Sequence, residues 1–250
     1  MKKIYIAAFA ALALVGSFSS QVLAQQAERQ LIQVNQLVIK PNEIERFRAI
    51  HRDNFMPRSR AGGLAYRVTT STVLGQSFQM SVASPIPNYA SLDGGTPLDG
   101  DSVEAQMLRE AWNSAVTSRR SFVITTRPDM NMEPAPNADY TTVVRFQVKA
   151  GKAQQFEAMW KSMIRPALVA SGQKGTSVFQ TVQGGRQFEY FALTPLANMA
   201  ALDGPGPFSS MNPEDGAALT AQVSELLEEI ETSITRTDHE LSYGLPGLNQ

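Results

Sequence analysis

The sequence predicts an α+β fold: two tandem ferredoxin-like (βαββαβ) repeats that pair into one pseudo-dimeric α+β barrel. Three observations carry this. The first is an internal repeat. Lys40, Phe47, Pro57, Ala61 and Gly63 return as Lys149, Phe156, Pro166, Ala170 and Gly172, each 109 positions on (166 − 57 = 109). Pro85, Asn88, Ala90, Leu92, Asp93, Gly94 and Pro97 return as Pro195, Asn198, Ala200, Leu202, Asp203, Gly204 and Pro207, 110 on (195 − 85 = 110). A period this long, present twice, describes two copies of a small domain and not a solenoid of short units. The second observation is the order of periodicities in each copy, strand, helix, strand, strand, helix, strand, which is the split βαβ arrangement. The third is that such a sheet carries helices on one face only, and pairing two copies buries the bare apolar face.

Ahead of the repeats, Lys2 and Lys3, the apolar run Ile4 to Val15, and Val22-Leu23-Ala24 before Gln25 make the three parts of a secretory signal. The run is shorter than the roughly 20 residues a bilayer crossing needs. The chain has no cysteine, so it has neither a lipoprotein anchor nor a disulfide. The expectation is a periplasmic or secreted protein, free of the membrane after signal cleavage and held together by core packing. The expected boundaries are a signal peptide over 1–24, repeats over 30–129 and 140–240, a linker over 130–139 rich in Pro, Asn and Met, and a C-terminal tail over 241–250.

Each repeat opens on a strand. Tyr140 to Lys149 alternates Val144, Phe146 and Val148 with Val143, Arg145 and Gln147. In the first copy Asn35, Leu37 and Ile39 share one face, and Val34, Gln36 and Val38 the other. A helix follows, with Asn42 and Glu45 as a capping box and Ile44, Phe47 and Ile50 as the stripe; in the second copy the stripe is Ala153, Phe156, Met159, Trp160 and Met163. Pro57 and Pro166 predict a kink or early stop in these helices. Strands Tyr66 to Leu74 and Ser77 to Ala83 pair through Gly75-Gln76, and Thr176 to Gln183 and Gln187 to Leu193 through Gly184-Gly185-Arg186. Asn88 and Asn198 then cap short turns that Gly94 and Gly204 are expected to end in a left-handed conformation. The second long helix is expected to start at Asp101 with Glu104, and at Asn212 with Pro213 and Asp215. Its apolar positions are Val103, Met107, Ala111 and Ala115, then Leu219, Val223, Leu226, Leu227 and Ile230. Closing strands run from Phe122 to Arg127 and from about Thr232 to Arg236. Arg145 and Glu189 fall on the bare face of neighbouring strands, where an unpaired charge is costly, so they are predicted to pair within about 8 Å.

At a formal charge of −1 there is no basic excess to neutralise phosphates, which argues against a nucleic-acid partner. Two scattered histidines, His51 and His239, make no metal-binding spacing, and Asp93, Asp99 and Asp101 lack the spacing of a calcium loop. No haem, metal or other cofactor is expected.

The run from Asn35 to Phe47, NQLVIKPNEIERF, together with the element order over essentially the whole mature chain, resembles the dimeric α+β barrel superfamily. That superfamily includes the antibiotic-biosynthesis monooxygenases, the bacterial haem-degrading monooxygenases and related stress-response domains. The resemblance implies a ligand cleft between the sheet and the first helix. In the haem-degrading members an Asn on the first strand, a Trp late on the third and a His on the second long helix form the site. Asn35 matches the first, while the others fall near Ala83 and Ser84 and near Trp112 and Asn113, so the Trp and the haem-binding His are absent from the pattern. In the second copy Val144 replaces the Asn.

The residues themselves offer Asn35, Tyr66, Met80 and Trp112, with Trp160, Phe188 and Tyr190 in the second copy, as a partly apolar lining for an aromatic or lipid-like ligand, or else as plain core. His51 occupies the position that Trp160 fills in the other copy, and is either a proton carrier or a packed helix residue. His239 is expected in solvent. The leading expectation is an exported binder of a small, largely apolar or aromatic molecule. The alternatives are a cofactor-independent monooxygenase-like enzyme, with Asn35 orienting substrate and His51 or Tyr190 moving a proton, and an interaction protein with filled clefts. Association of whole chains into a homo-oligomer is compatible with any of them.

Overall fold

The computed structural model describes residues 29–95, 98–133 and 138–244. The signal-like segment 1–24, Pro97 and the end of the tail, 245–250, lie outside the described residues. The first half runs β1 (Leu31–Ile39), α1 (Ile44–Ile50), a π turn (His51–Phe55), α2 (Met56–Ala61), β2 (Val68–Leu74), β3 (Gln79–Ile86), α3 (Val103–Ala115) and β4 (Val116–Thr126). The second repeats the series as β5 (Tyr140–Val148), α4 (Ala153–Met159), a π turn (Trp160–Ile164), α5 (Arg165–Ala170), β6 (Ser177–Gln183), β7 (Glu189–Leu196), α6 (Pro213–Leu226) and β8 (Leu227–Thr237).

The eight strands close into one antiparallel barrel in the order β1-β3-β2-β8-β5-β7-β6-β4. Each half keeps the ferredoxin-like order, and the halves join where β2 pairs with β8 and β4 with β6. Edge pairing removes the exposed strand edges that each sheet alone would carry. It also turns both bare faces inward. Ile32, Val34, Phe122 and Ile124 of the first half meet Val143, Phe179, Phe191 and Leu193 of the second there. The rings of Phe122 and Phe191 stack at 5.6 Å across that interior.

The predicted pairing of Arg145 with Glu189 is present at 3.3 Å, with the Glu189 side chain fully buried. Arg120 of β4 adds two hydrogen bonds to the same carboxylate at 2.9 and 2.7 Å, and the Thr181 hydroxyl donates a further one at 2.9 Å. This knot joins the two halves inside the barrel. Gly185 is required beside it, because a Cβ there would lie 2.5 Å from Thr181 Cγ2 and 3.1 Å from Glu189 Oε2.

The segments after β4 and β8 are more than connectors, because each crosses to finish the other half's core. Met130 is fully buried against Phe156, Trp160 and Tyr190, and accepts the Trp160 indole N–H on its carbonyl at 2.9 Å. Leu241 and Tyr243 likewise pack with Phe47, Ile50 and Trp112. A matching ion pair pins each crossing with its charges reversed: Arg127 holds Glu157 of α4, and Asp238 holds Arg48 of α1.

Several local expectations are corrected. Asn42 caps nothing: Pro41–Glu43 is a single 3-10 turn with no side-chain cap, into which the fixed φ of Pro41 directs the chain. Pro57 and Pro166 stop nothing either. In each helix the missing proline N–H is absorbed by the preceding π turn, where Met56 N–H reaches the His51 carbonyl, and the helix resumes. Asn88, Asn198 and Asn212 do cap as expected, but the cap of α3 is Ser102 and not Asp101. The short turns end at Asp93 and Asp203 in right-handed conformation, so Gly94 and Gly204 are not left-handed terminators. The hairpins turn where expected, from Gly75 and Gly184 at positive φ, but each loop runs on through a left-handed Phe78 or Phe188, both at φ 58°. On α3 the buried stripe is Ala105, Trp112 and Ala115, with Val103 and Met107 left 71% and 65% exposed. The expected positions were four apart throughout, a spacing that drifts around a helix of 3.6 residues per turn, and the large indole sets which face turns inward. On the second copy α6 ends at Leu226, so Leu227 and Ile230 belong to β8.

Candidate functional site

The first half holds an open cleft of about 740 Å³ between β1, the α1–α2 helix and the loop after β3. Asn35 faces it from β1. Its Oδ1 accepts from Arg119 at 3.0 Å and from the Ser121 hydroxyl at 2.6 Å. Because a guanidinium can only donate, the oxygen is fixed on that side and the amide N–H₂ is left to donate elsewhere. His51 projects from the π turn, with ring centroids of Phe47, Phe55 and Trp112 at 4.3, 4.8 and 5.1 Å. Its Nδ1 lies 2.6 Å from Nη2 of Arg67, at the start of β2, while Arg67 Nη1 donates to Ser59 at 3.3 Å. Phe55, Trp112, Arg58, Arg67 and Arg119 complete the wall, and no Asp or Glu lines it among the described residues.

Electrostatics fixes the protonation of this pair. Burial, with the Arg67 cation beside it, holds the His51 imidazolium pKa well below the ordinary histidine value. Burial also pushes Arg67 down to about 10, still charged at neutral pH. His51 is therefore neutral, accepts from Arg67 on Nδ1, and carries its proton on Nε2. It is a donor and not a base in this state. Unfolded, the same imidazole takes up a proton as pH falls through about 6.5, which the native state does not do until much lower. Stability should therefore fall from about pH 6.5 downward, by up to about 1.4 kcal/mol per pH unit, and His51→Gln should flatten this slope in urea denaturation.

In the second half the matching space is filled. Trp160 and Tyr190 are fully buried with Phe156, Met159 and Met130. The Tyr190 hydroxyl donates to Glu157 at 2.8 Å, and burial followed by that bond raises its pKa far above the ordinary phenol. The Arg127 guanidinium holds both Glu157 and Asp129 below the usual carboxylate range. These depressed carboxylates stabilise the fold above about pH 4 and lose that contribution as pH falls through their native values, so a second acid-sensitive window lies below that of His51. A far-ultraviolet pH titration of the His51→Gln variant should retain this lower transition.

The residues that sequence reasoning grouped as one lining are thus separated. Asn35 and Trp112 line the open cleft, as does His51. Met80 is buried in the first core, on the side of a smaller groove of about 380 Å³ beside the β2–β3 turn. Tyr66 is half-buried and donates to Gln30 at 3.2 Å, away from the cleft wall. Trp160 and Tyr190 are core, and Phe188 sits on the β6–β7 turn. Tyr190 cannot share a substrate with Asn35, since it lies inside the other half's core. His239 is exposed beside Asp139 at 2.9 Å. Arg67 and Arg119 were missed. The repeat carried their signal, because β-sheet register sets Thr176 and Ile230 in their places in the second half.

No protein-family model matches the sequence, and no curated protein matches it. The fold does match solved structures. A candidate monooxygenase from Lactobacillus acidophilus NCFM is 12% identical with a TM-score of 0.52, over 84% of this chain and 94% of that one. A candidate monooxygenase from Fusobacterium nucleatum subsp. nucleatum is 7% identical with a TM-score of 0.52, over 83% and 92%. At these identities the likeness establishes the fold alone: the chain is a pseudo-dimeric α+β barrel, with both halves in one polypeptide.

Proposed function

We propose that this is an exported, cofactor-independent monooxygenase-like enzyme that oxidises an electron-rich aromatic molecule in the first-half cleft. The observation that carries the reading is the asymmetry of the two halves. One sheet–helix space is open and walled by Trp112, Phe55 and Asn35, the last held by Ser121 and Arg119; in its twin, among the described residues, Trp160 and Tyr190 are fully buried in the core. Duplication kept one half as scaffold and left the other with a site. The candidate monooxygenases that share the fold support oxygenation over other chemistries, as an analogy of fold.

The chemistry asks little of the protein. An ionised, electron-rich aromatic reduces O₂ with its own electrons. One oxygen atom ends on a ring carbon as C=O, and the other leaves as water with two hydrogens of the substrate. The cleft supplies an aromatic wall and positioned donors for the anion. The Asn35 amide N–H₂, held by its two bonds to Arg119 and Ser121, is the group we assign to orient the substrate oxygen.

A carrier for the same class of molecule is a second reading, favoured by one observation: no carboxylate among the described lining residues stands ready to take a proton. Oxygen-electrode assays with a dihydroxyanthrone separate the two. The enzyme should consume one O₂ per molecule oxidised, and Asn35→Ala should slow it tenfold or more while leaving the thermal midpoint within a few degrees. Binding without oxygen uptake would leave the carrier, and neither binding nor uptake would remove both. Export is tested by the mass of protein recovered from the host, which should begin at Gln25.

A further inference from the structure

We propose that the first-half cleft takes its ligand as an anion: an aromatic molecule whose negative oxygen, carboxylate or ionised phenol, is held by Arg67 and His51. This rests on the cleft being a small-molecule site, and adds which residues select and hold the charge of what it accepts.

Arg67 stands apart from Arg127, the other buried arginine among the described residues, and from the half-buried ones that hold a carboxylate; half-buried Arg109 instead holds the Leu98 and Gly100 carbonyls. Arg48 sits on Asp238, Arg120 and Arg145 on Glu189, and Arg127 on Glu157 and Asp129. Arg67 is 6% exposed, and the partners it has are neutral: the His51 ring and the Ser59 hydroxyl, with the Tyr243 phenol nearby. A buried cation without a counter-charge is costly, and proteins keep one where something supplies the missing charge.

Two buried atoms point the same way. Arg67 Nε and His51 Nε2 both lack a hydrogen-bond partner. With Nδ1 of His51 accepting from Arg67, Nε2 bears the proton, so both unpartnered atoms are donors. Only an acceptor satisfies them, and an anionic oxygen does so while also neutralising the guanidinium. Both residues line the open cleft, where Phe55 and Trp112 offer apolar faces to the rest of the molecule.

The twin half shows that the fold does not need the pair. There Trp160 stands for His51 and Thr176 for Arg67. The indole fills the space and is satisfied by the Met130 carbonyl, and the threonine hydroxyl lies 2.9 Å from that of Thr194. The same scaffold position is neutral and complete in one half, charged and incomplete in the other.

The test is fluorescence titration of the full chain with naphthoate, its neutral counterpart naphthylmethanol, and naphthol. Naphthoate should bind at least tenfold more tightly than naphthylmethanol. Arg67→Gln should erase that preference without lowering the thermal midpoint of the unliganded protein, whereas Arg67→Lys should keep part of it. Naphthol that shows its ionised absorption band when bound at neutral pH would identify phenolate as an accepted source; naphthoate alone would identify carboxylate. Equal binding of naphthoate and naphthylmethanol to the native chain would overturn the anion proposal while leaving the cleft a small-molecule site. Binding of none of the three would overturn both. The native-chain comparison needs no variant, so a misfolded Arg67→Gln would not blunt it.

Discussion

Deleting the chain from Leu241 onward is expected to abolish cooperative folding of the first half. The deletion removes Leu241 and Tyr243, 1% and 8% exposed, from the cluster that holds Phe47 and Trp112. Truncating one large buried apolar side chain costs about 2–5 kcal/mol. It also removes backbone and side-chain partners from β2. Thr69 N–H loses the Ser242 hydroxyl, Thr69 Oγ1 loses the Leu241 carbonyl, and Arg67 loses both bonds to the Tyr243 backbone. Against a typical total of about 5–15 kcal/mol, these losses exceed what one domain spares. Gly244 belongs to the same lock: it lies so close to Ala65 O and Tyr66 Cα that a Cβ would collide with backbone, and its φ of 79° suits glycine alone. Urea denaturation in a Trp160→Phe background, where fluorescence reports Trp112 alone, should lose its cooperative transition in the deletion. A deletion variant with native midpoint and slope would show that the crossing segment is ornamental.

That lock could not be read from the sequence, whereas the barrel it closes could. Strand and helix periods are local, and the repeat checked each assignment against a second copy, so Asn88 and Asn198 both predicted caps that are present. Arg145 and Glu189 were legible for a global reason: the split βαβ order places β5 beside β7, and period two then fixes which side chains face inward. Met130 and Leu241 were not legible, since nothing local distinguishes a methionine in a proline-rich connector from one that crosses into the other half. The site was half legible. Asn35 and His51 stood out by residue type, whereas Arg67 showed in the sequence only as a place where the repeat departs from Thr176, and its lack of a carboxylate is a tertiary fact. Tyr190 and Trp160 were aromatic at pocket-like spacing, and packing used them to close the second cleft.

The two halves therefore answer one problem differently. Each must fill the space between its first helix and its sheet. The second does so with Trp160, Tyr190 and Met130; the first leaves it open, with the Arg67 cation and the neutral His51 ring at its wall and the Leu241 and Tyr243 side chains packed in the core. An open cleft forfeits buried apolar contact, and the barrel shared by both halves is what sustains that loss.

A large effect from a single polar residue should come from inside that barrel. Glu189→Ala is expected to lower the unfolding free energy by about 3 kcal/mol, at the low end of what breaking a buried ion pair costs. The low end applies because the arginines left behind fare differently. Arg145 retains Glu229 at 2.8 Å and Glu231 at 2.6 Å. Arg120 is left without a carboxylate, though its side chain is 33% exposed and reaches water. Thr181 loses the acceptor of its hydroxyl as well. Removing the charges together should cost less than removing Glu189 alone: in a double-mutant cycle, Arg120→Met with Glu189→Leu should recover at least half of the loss, since no uncompensated charge then remains between the Phe122 ring and the sheet. Urea denaturation at neutral pH, with unchanged slope, measures both. A loss below about 1 kcal/mol for Glu189→Ala would mean that the knot fixes the register of the two halves without stabilising them, and that the apolar layer around Phe122 and Phe191 holds the barrel closed by itself.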